Sequence, residues 1–121
     1  MNGGATLPKE WLAVRPEDVG RLERELARET VQSHPLHGAQ VKAIYRRYPH
    51  DDVLFEVFGS DCPYYCVHLT WAAETKPDWP FITRFSSIDD FCRNYELTLE
   101  ITEDDPRWPS EKCRLYEPVA V

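Results

Sequence analysis

The chain holds only five glycines against ten prolines in 121 residues. It therefore has few positions suited to left-handed turns and many fixed loop ends. It contains no glycine-rich phosphate loop and no G-x-S-x-G elbow, which removes the usual sequence support for nucleotide binding and α/β-hydrolase chemistry. No apolar run approaches the roughly 18 residues of a membrane span. The opening Met1-Asn2-Gly3-Gly4-Ala5 lacks the basic-then-apolar plan of a signal peptide, and Asn2 stands where N-myristoylation needs glycine. The expected compartment is the cytoplasm, where Cys62, Cys66, Cys92 and Cys113 should be free thiols.

Positive charge is also scarce. Fourteen Lys and Arg face 21 Asp and Glu, a net charge of −7. The imbalance is concentrated in the second half, above all in the stretch from Asp89 to Asp105, where Asp89, Asp90, Glu96, Glu100, Glu103, Asp104 and Asp105 meet the single base Arg93. Phosphate backbones and anionic lipid need Lys and Arg, so nucleic acid and membrane are not expected partners. The complement of such a surface is a basic protein.

What the chain does have is ordinary globular material, with 42% apolar residues and 12% aromatic, enough for one domain built around a core. Pro16, Glu17 and Asp18 suit a helix start, and Val19, Leu22 and Leu26 follow at helical spacing, predicting a helix over 16–31. Residues 39–48, 53–58 and 64–71 read as strands separated by turns at 49–52 and 59–61, and 81–85 as a short edge strand. Ser87, with Asp90 three residues on and a stripe through Ile88, Phe91, Cys92 and Tyr95, predicts a second helix over about 87–96. Leu97, Leu99 and Ile101 suit either a continued helix or a strand. The expected fold is α+β: three or four mainly antiparallel strands, an N-terminal helix, and a second helix packed on the sheet. Residues 1–121 form a single domain, with a mobile lead-in at 1–8 and an irregular acidic tail at 102–121.

The candidate chemistry lies on the third strand. Residues two apart share a face, so Cys62, Tyr64, Cys66, His68 and Thr70 form a polar row. Pairing with the neighbouring strands is expected to bring Glu56 near His68 and Arg46 next to Glu56, a carboxylate, an imidazole and a guanidinium suited to acid-base work. His68-Leu69-Thr70 also spells the H-x-T element of two-histidine phosphoesterases, but the second copy those enzymes need is missing. Zinc is disfavoured because Cys62 and Cys66 on one strand sit about 13 Å apart at ~3.3 Å per residue, too far to share a tetrahedral ion. Trp79 and Trp108, each next to a proline, are candidates for stacking on a ligand or plugging a partner. No metal and no cofactor are expected.

The runs Asp52-Val53-Leu54-Phe55-Glu56 and Val67-His68-Leu69-Thr70-Trp71, followed by Trp79-Pro80 and a helix start at Phe85-Ser86-Ser87, resemble a family of small bacterial proteins of unknown function with an HLTW-like strand. The likeness spans about residues 37–95. It implies no activity, cofactor or substrate, and marks His68 and Trp71 as residues to follow. The leading expectation is a non-enzymatic, immunity-like or antitoxin-like protein that binds a basic partner through Asp89, Asp90, Glu96 and Glu100, with Trp71 and Trp79 as further contacts. The alternative is a small hydrolase or ligand-binding domain using His68, Glu56 and Arg46.

Overall fold

Each helix begins where its sequence offers a start. Pro16 at the first helical position needs no N–H partner and has its φ preset, and Glu17 and Asp18 occupy the positive end of the dipole; helix α1 runs Pro16–Glu29. Arg15 flanks it without a side-chain cap and reaches Asp18 at 3.3 Å instead. At the second helix, the Ser87 hydroxyl accepts from the Asp90 N–H at 2.9 Å. The Asp90 carboxylate accepts in return from the Ser86 N–H at 2.9 Å, a reciprocal cap like the capping box.

The computed structural model describes residues 6–48, 50–60, 62–72, 82–101 and 105–106. Its strands are β1 (Trp11–Ala13), β2 (Val41–Arg47), β3 (Asp52–Val57), β4 (Tyr64–His68) and β5 (Ile82–Phe85), and the second helix is α2 (Ile88–Thr98). The strands form one antiparallel sheet in chain order. The α+β reading holds, with five strands rather than three or four. The added strand, β1, has three residues, too short for alternation to show; it is fixed by its partner, Trp11 facing Arg47 and Ala13 facing Tyr45.

Alternation sorts the sheet into two faces. Val53, Phe55, Val57, Tyr65 and Val67 pack with Leu22 and Leu26 of α1. Leu54, Cys66 and Phe85 pack with Phe91 and Tyr95 of α2. Each helix therefore covers its own face. Trp11 closes the α2 side, its ring meeting Phe91 edge-on at 4.8 Å and Tyr95 at 5.1 Å. Fully burying an aromatic side chain of this kind contributes about 1.5–3 kcal/mol, so this cluster is a main anchor of α2.

The second helix continues to Thr98 and ends in a turn at Leu99 and Glu100, which decides the segment 97–101. Pro8 is buried and Leu7 packs against the α2-side core, so the end of the expected lead-in belongs to the body; residues 1–5 lie outside the described residues. Of the acidic tail, all but Asp105 and Pro106 lies outside them as well. Cys66 and Cys92 are free, but Cys62 is disulfide-bonded. That corrects the expectation of thiols throughout. Cys113 lies outside the described residues.

Candidate functional site

Two registers decide which polar side chains meet. Between β3 and β4, Glu56 pairs with Tyr64 and Asp52 with His68. Between β2 and β3, Lys42 faces Glu56 and Ala43 faces Phe55, but Tyr45 then faces Leu54 and Arg46 faces Val53. Ile44 is the extra residue of a β-bulge, and a one-residue slip exchanges the faces of everything beyond it. The expected trio of His68, Glu56 and Arg46 is therefore not assembled. Glu56 sits four residues along the strand from the partner of His68, about 13 Å at ~3.3 Å per residue. Arg46 is turned away, lying over the Tyr48 ring at 5.1 Å and 3.8 Å from Asp51.

The same three chemical types nevertheless converge, supplied by other residues. The His68 Nδ1 lies 2.6 Å from Asp52 Oδ1. The Tyr95 hydroxyl donates to Asp52 Oδ2 and accepts from Arg47 Nη1 at 3.1 Å. The same guanidinium nitrogen stands 3.7 Å from Asp52 Oδ2, and Arg47 Nε donates to Glu10 Oε1 at 3.1 Å. Asp52 and Tyr95 are buried, whereas the His68 side chain is 54% exposed. An ionised carboxylate only accepts, so the Asp52 bond fixes the proton of His68 on Nδ1 and leaves Nε2 outward. Burial, then the bond to Asp52, pushes the Tyr95 phenol far up, so it serves as a hydrogen-bond donor. Burial and the Asp52 charge likewise push the Cys66 thiol well up, which removes it as a nucleophile.

On the other helix's side, Glu29 is fully buried at the end of α1. Its carboxylate accepts from the Thr70 N–H at 2.8 Å, the Thr70 hydroxyl at 3.1 Å and the Trp71 N–H at 2.7 Å. Trp71 adopts a left-handed φ of 58°, and the Arg21 guanidinium lies 5.3 Å from its ring centre. The His68-Leu69-Thr70-Trp71 run thus works as a two-sided clasp. His68 engages the polar cluster under α2, Leu69 is in the core, and Thr70 and Trp71 hold α1. Trp79 lies outside the described residues.

The acidic residues of α2 separate by helical phase. Asp89 pairs with Arg93 at 2.9 Å. Asp90 is buried and caps the helix, also accepting from Asn94 at 2.7 Å. Glu96 and Glu100 are exposed and line a cavity of about 360 Å³ with Lys9, Glu10, Arg47, His50, Tyr95 and Leu99. Leu99 is one of three large apolar side chains left exposed among the described residues, at 56%. The last turn of α2 contains no basic residue.

Asp52, Arg47, Tyr95, Glu10 and Glu29 were not singled out by sequence reasoning. A signal for Asp52 was present: a turn centred on Ser60 puts residues equally distant from it opposite one another, which is the pairing of Asp52 with His68. Among the described residues no group of three His, Cys, Asp or Glu stands together as a metal site. His34 accepts from the Leu36 N–H at 3.0 Å, and His37 bonds the Thr30 carbonyl at 3.0 Å. No helix among the described residues is long and apolar enough to cross a membrane. Comparison with family models, with curated proteins and with solved structures finds no match to this chain.

Proposed function

We propose that the protein is a non-enzymatic interaction protein, immunity-like or antitoxin-like in kind, that holds a basic protein partner at the C-terminal end of α2. The observation that carries this reading is the absence of any base from the last turn of α2 itself, with Lys9, Arg47 and His50 reaching the same cleft from other elements. A helix C-terminus bears partial negative charge and is ordinarily met by Lys, Arg or His. Here Glu96 and Glu100 border the cleft, with no base in the last turn. Each acidic side chain there opposes the dipole by about 0.3–1 kcal/mol, a cost that a partner's Lys or Arg would offset. Leu99, exposed and lining the same cleft, supplies the apolar contact that gives such an interface affinity as well as steering. The negative net charge favours the same class of partner.

The test is capture of the partner from the source cells, followed by binding measured for the wild type, E96Q/E100Q and L99A. Asp90 is left intact because its carboxylate caps α2. The reading expects at least about tenfold weaker binding for the double variant, equivalent to ~1.4 kcal/mol, and a steep loss of wild-type affinity with salt. Binding unchanged within twofold would refute it. A second reading, a small hydrolase or ligand-binding site, is favoured by the outward Nε2 of His68, with Asp52 and Arg47 in the roles first given to Glu56 and Arg46. It expects His68→Ala to abolish ligand binding or turnover while partner binding persists.

A further inference from the structure

We propose that a cleft between the first turns of α1 and α2 binds a small apolar carboxylate, its body lying on Val14, Val19, Ile44 and Ile88 and its head held by Lys42, Tyr45 and Tyr64. The cleft has a volume of about 520 Å³, within the range of about 300–1,000 Å³ that takes small molecules. Ile88 stands at the opposite end of α2 from Glu96 and Glu100, so this site is separate from the acidic one and does not rest on the reading above. Strand pairing makes the cleft. The last pair of β1 is Ala13 with Tyr45, and the chain then turns into α1 at Pro16, leaving the earlier part of β2 beyond its reach. There the β-bulge at Ile44 sets two successive side chains, Ile44 and Tyr45, against the α2-side core, where Tyr64 and Ile88 join them. A regular strand sends successive residues to opposite faces, whereas the bulge aims both at one surface. These four residues are only partly buried, so they form an apolar rim and not a closed core.

The charge of the lining decides what the cleft takes. Among the described residues no carboxylate lines it, and its polar side chains are the Lys42 ammonium and two phenols. Lys42 is exposed and faces Glu56 across the pairing, yet it makes no ion pair among the described residues. Neither phenol has a hydrogen-bond partner among them. Burial first, then the charge of Glu56, raises the Tyr64 phenol, so Tyr64 stays protonated and donates. One cation and two O–H donors match the two oxygens of a carboxylate. A phosphate group, with three acceptor oxygens and a larger charge, would leave charge unmet by a single ammonium. Glu56, opposite both Lys42 and Tyr64, stands outside the lining, and an amine entering the cleft would meet the like charge of Lys42.

The experiment titrates the full chain at pH 7 with phenylbutyrate, phenylbutanol and phenylbutylamine, which share one apolar body, and follows the backbone amides by NMR. For the acid, saturable shifts are expected at Ile44, Tyr45 and Ile88, with Leu99 and Glu100 unmoved. It should bind at least about tenfold tighter than the alcohol, because a hydrogen bond to a charged group contributes more than one between neutral groups. K42M should bring the acid down to the affinity of the alcohol, and Y64F should weaken it about fivefold. Absence of saturable shifts at these amides overturns the site. An alcohol or amine that binds as tightly as the acid overturns the ligand class, and so does an acid that binds K42M as it binds the wild type. The comparison of the three probes is made on the wild type, so it stands even if a variant does not fold.

Discussion

The bond between Tyr95 and Asp52 is the part of the polar cluster whose energy can be isolated, because both groups are buried and joined side chain to side chain across 43 positions of sequence. Tyr95→Phe deletes the hydroxyl while keeping the ring against Trp11 and Phe91. It costs Asp52 one donor and leaves it His68 at 2.6 Å. A hydrogen bond to a charged group contributes about 1.5–3 kcal/mol, so Tyr95→Phe should destabilise by about 2 kcal/mol. Asp52→Asn removes the charge facing Arg47 and weakens the acceptor for both Tyr95 and His68. Stranding a buried donor costs about 1–3 kcal/mol, and Asp52→Asn should cost about 3 kcal/mol. The double variant loses the shared bond only once, so it should be less destabilised than the two singles together by at least ~1 kcal/mol. Urea unfolding at pH 7, followed by far-ultraviolet circular dichroism, measures all four species, and each kcal/mol should move the thermal midpoint by about 4 °C. Additivity within about 0.5 kcal/mol would show that the bond holds nothing together and refute the reasoning.

Glu29 predicts the pH dependence of stability. Its carboxyl sits at about 7 in the folded chain, against 4.5 as its ordinary value, so the folded state binds the proton more tightly. The associated stabilisation is full below about pH 4.5 and is lost as pH rises through about 7, amounting to no more than ~3 kcal/mol at about 1.36 kcal/mol per unit. Urea midpoints should fall between pH 5.5 and 8.5 in the wild type and change much less in E29Q. Phe91→Ala should cost about 3–5 kcal/mol, since its fully buried ring touches Trp11, Phe85 and Tyr95; a loss under ~1 kcal/mol in the same unfolding assay would contradict the packing. Gly38 has φ +74° with nothing within 4 Å of an added Cβ, so Gly38→Ala should cost only backbone strain, about 1–2 kcal/mol.

The elements were legible wherever one periodicity persisted. The helix starts at Pro16 and Ser87, the three-strand meander and the stripe through Phe91 and Tyr95 all follow from local chemistry. What failed did so for identifiable physical reasons. The three residues of β1 carry too little alternation to be distinguished from a loop, and Trp11 owes its position to Arg47 and Phe91. The bulge at Ile44 has no local marker in Val41-Lys42-Ala43-Ile44-Tyr45, because it is set by pairing with β3. Yet it determines that Arg47, and not Arg46, reaches Tyr95. Asp52 looked like a turn residue beside Asp51, and only the hairpin centred on Ser60 puts it opposite His68.

The acidic stretch from Asp89 onward shows the same limit on the functional side. In the sequence it is a single run of negative charge, but helical phase gives its members different tasks. Asp89 is engaged by Arg93, Asp90 holds the start of α2, and Glu96 and Glu100 border the cleft beside Leu99. Neutralising all four together would therefore confuse loss of a helix cap with loss of a binding surface. An N-terminal cap is worth about 0.5–2 kcal/mol, enough to reduce the folded population of a marginal domain and weaken any interaction indirectly. The variant that separates the two effects is E96Q/E100Q. It should leave the unfolding midpoint unchanged or slightly raised, since it removes charges that oppose the helix dipole, while weakening the partner. A stabilised protein that still binds with wild-type affinity would move the interface away from this end of α2.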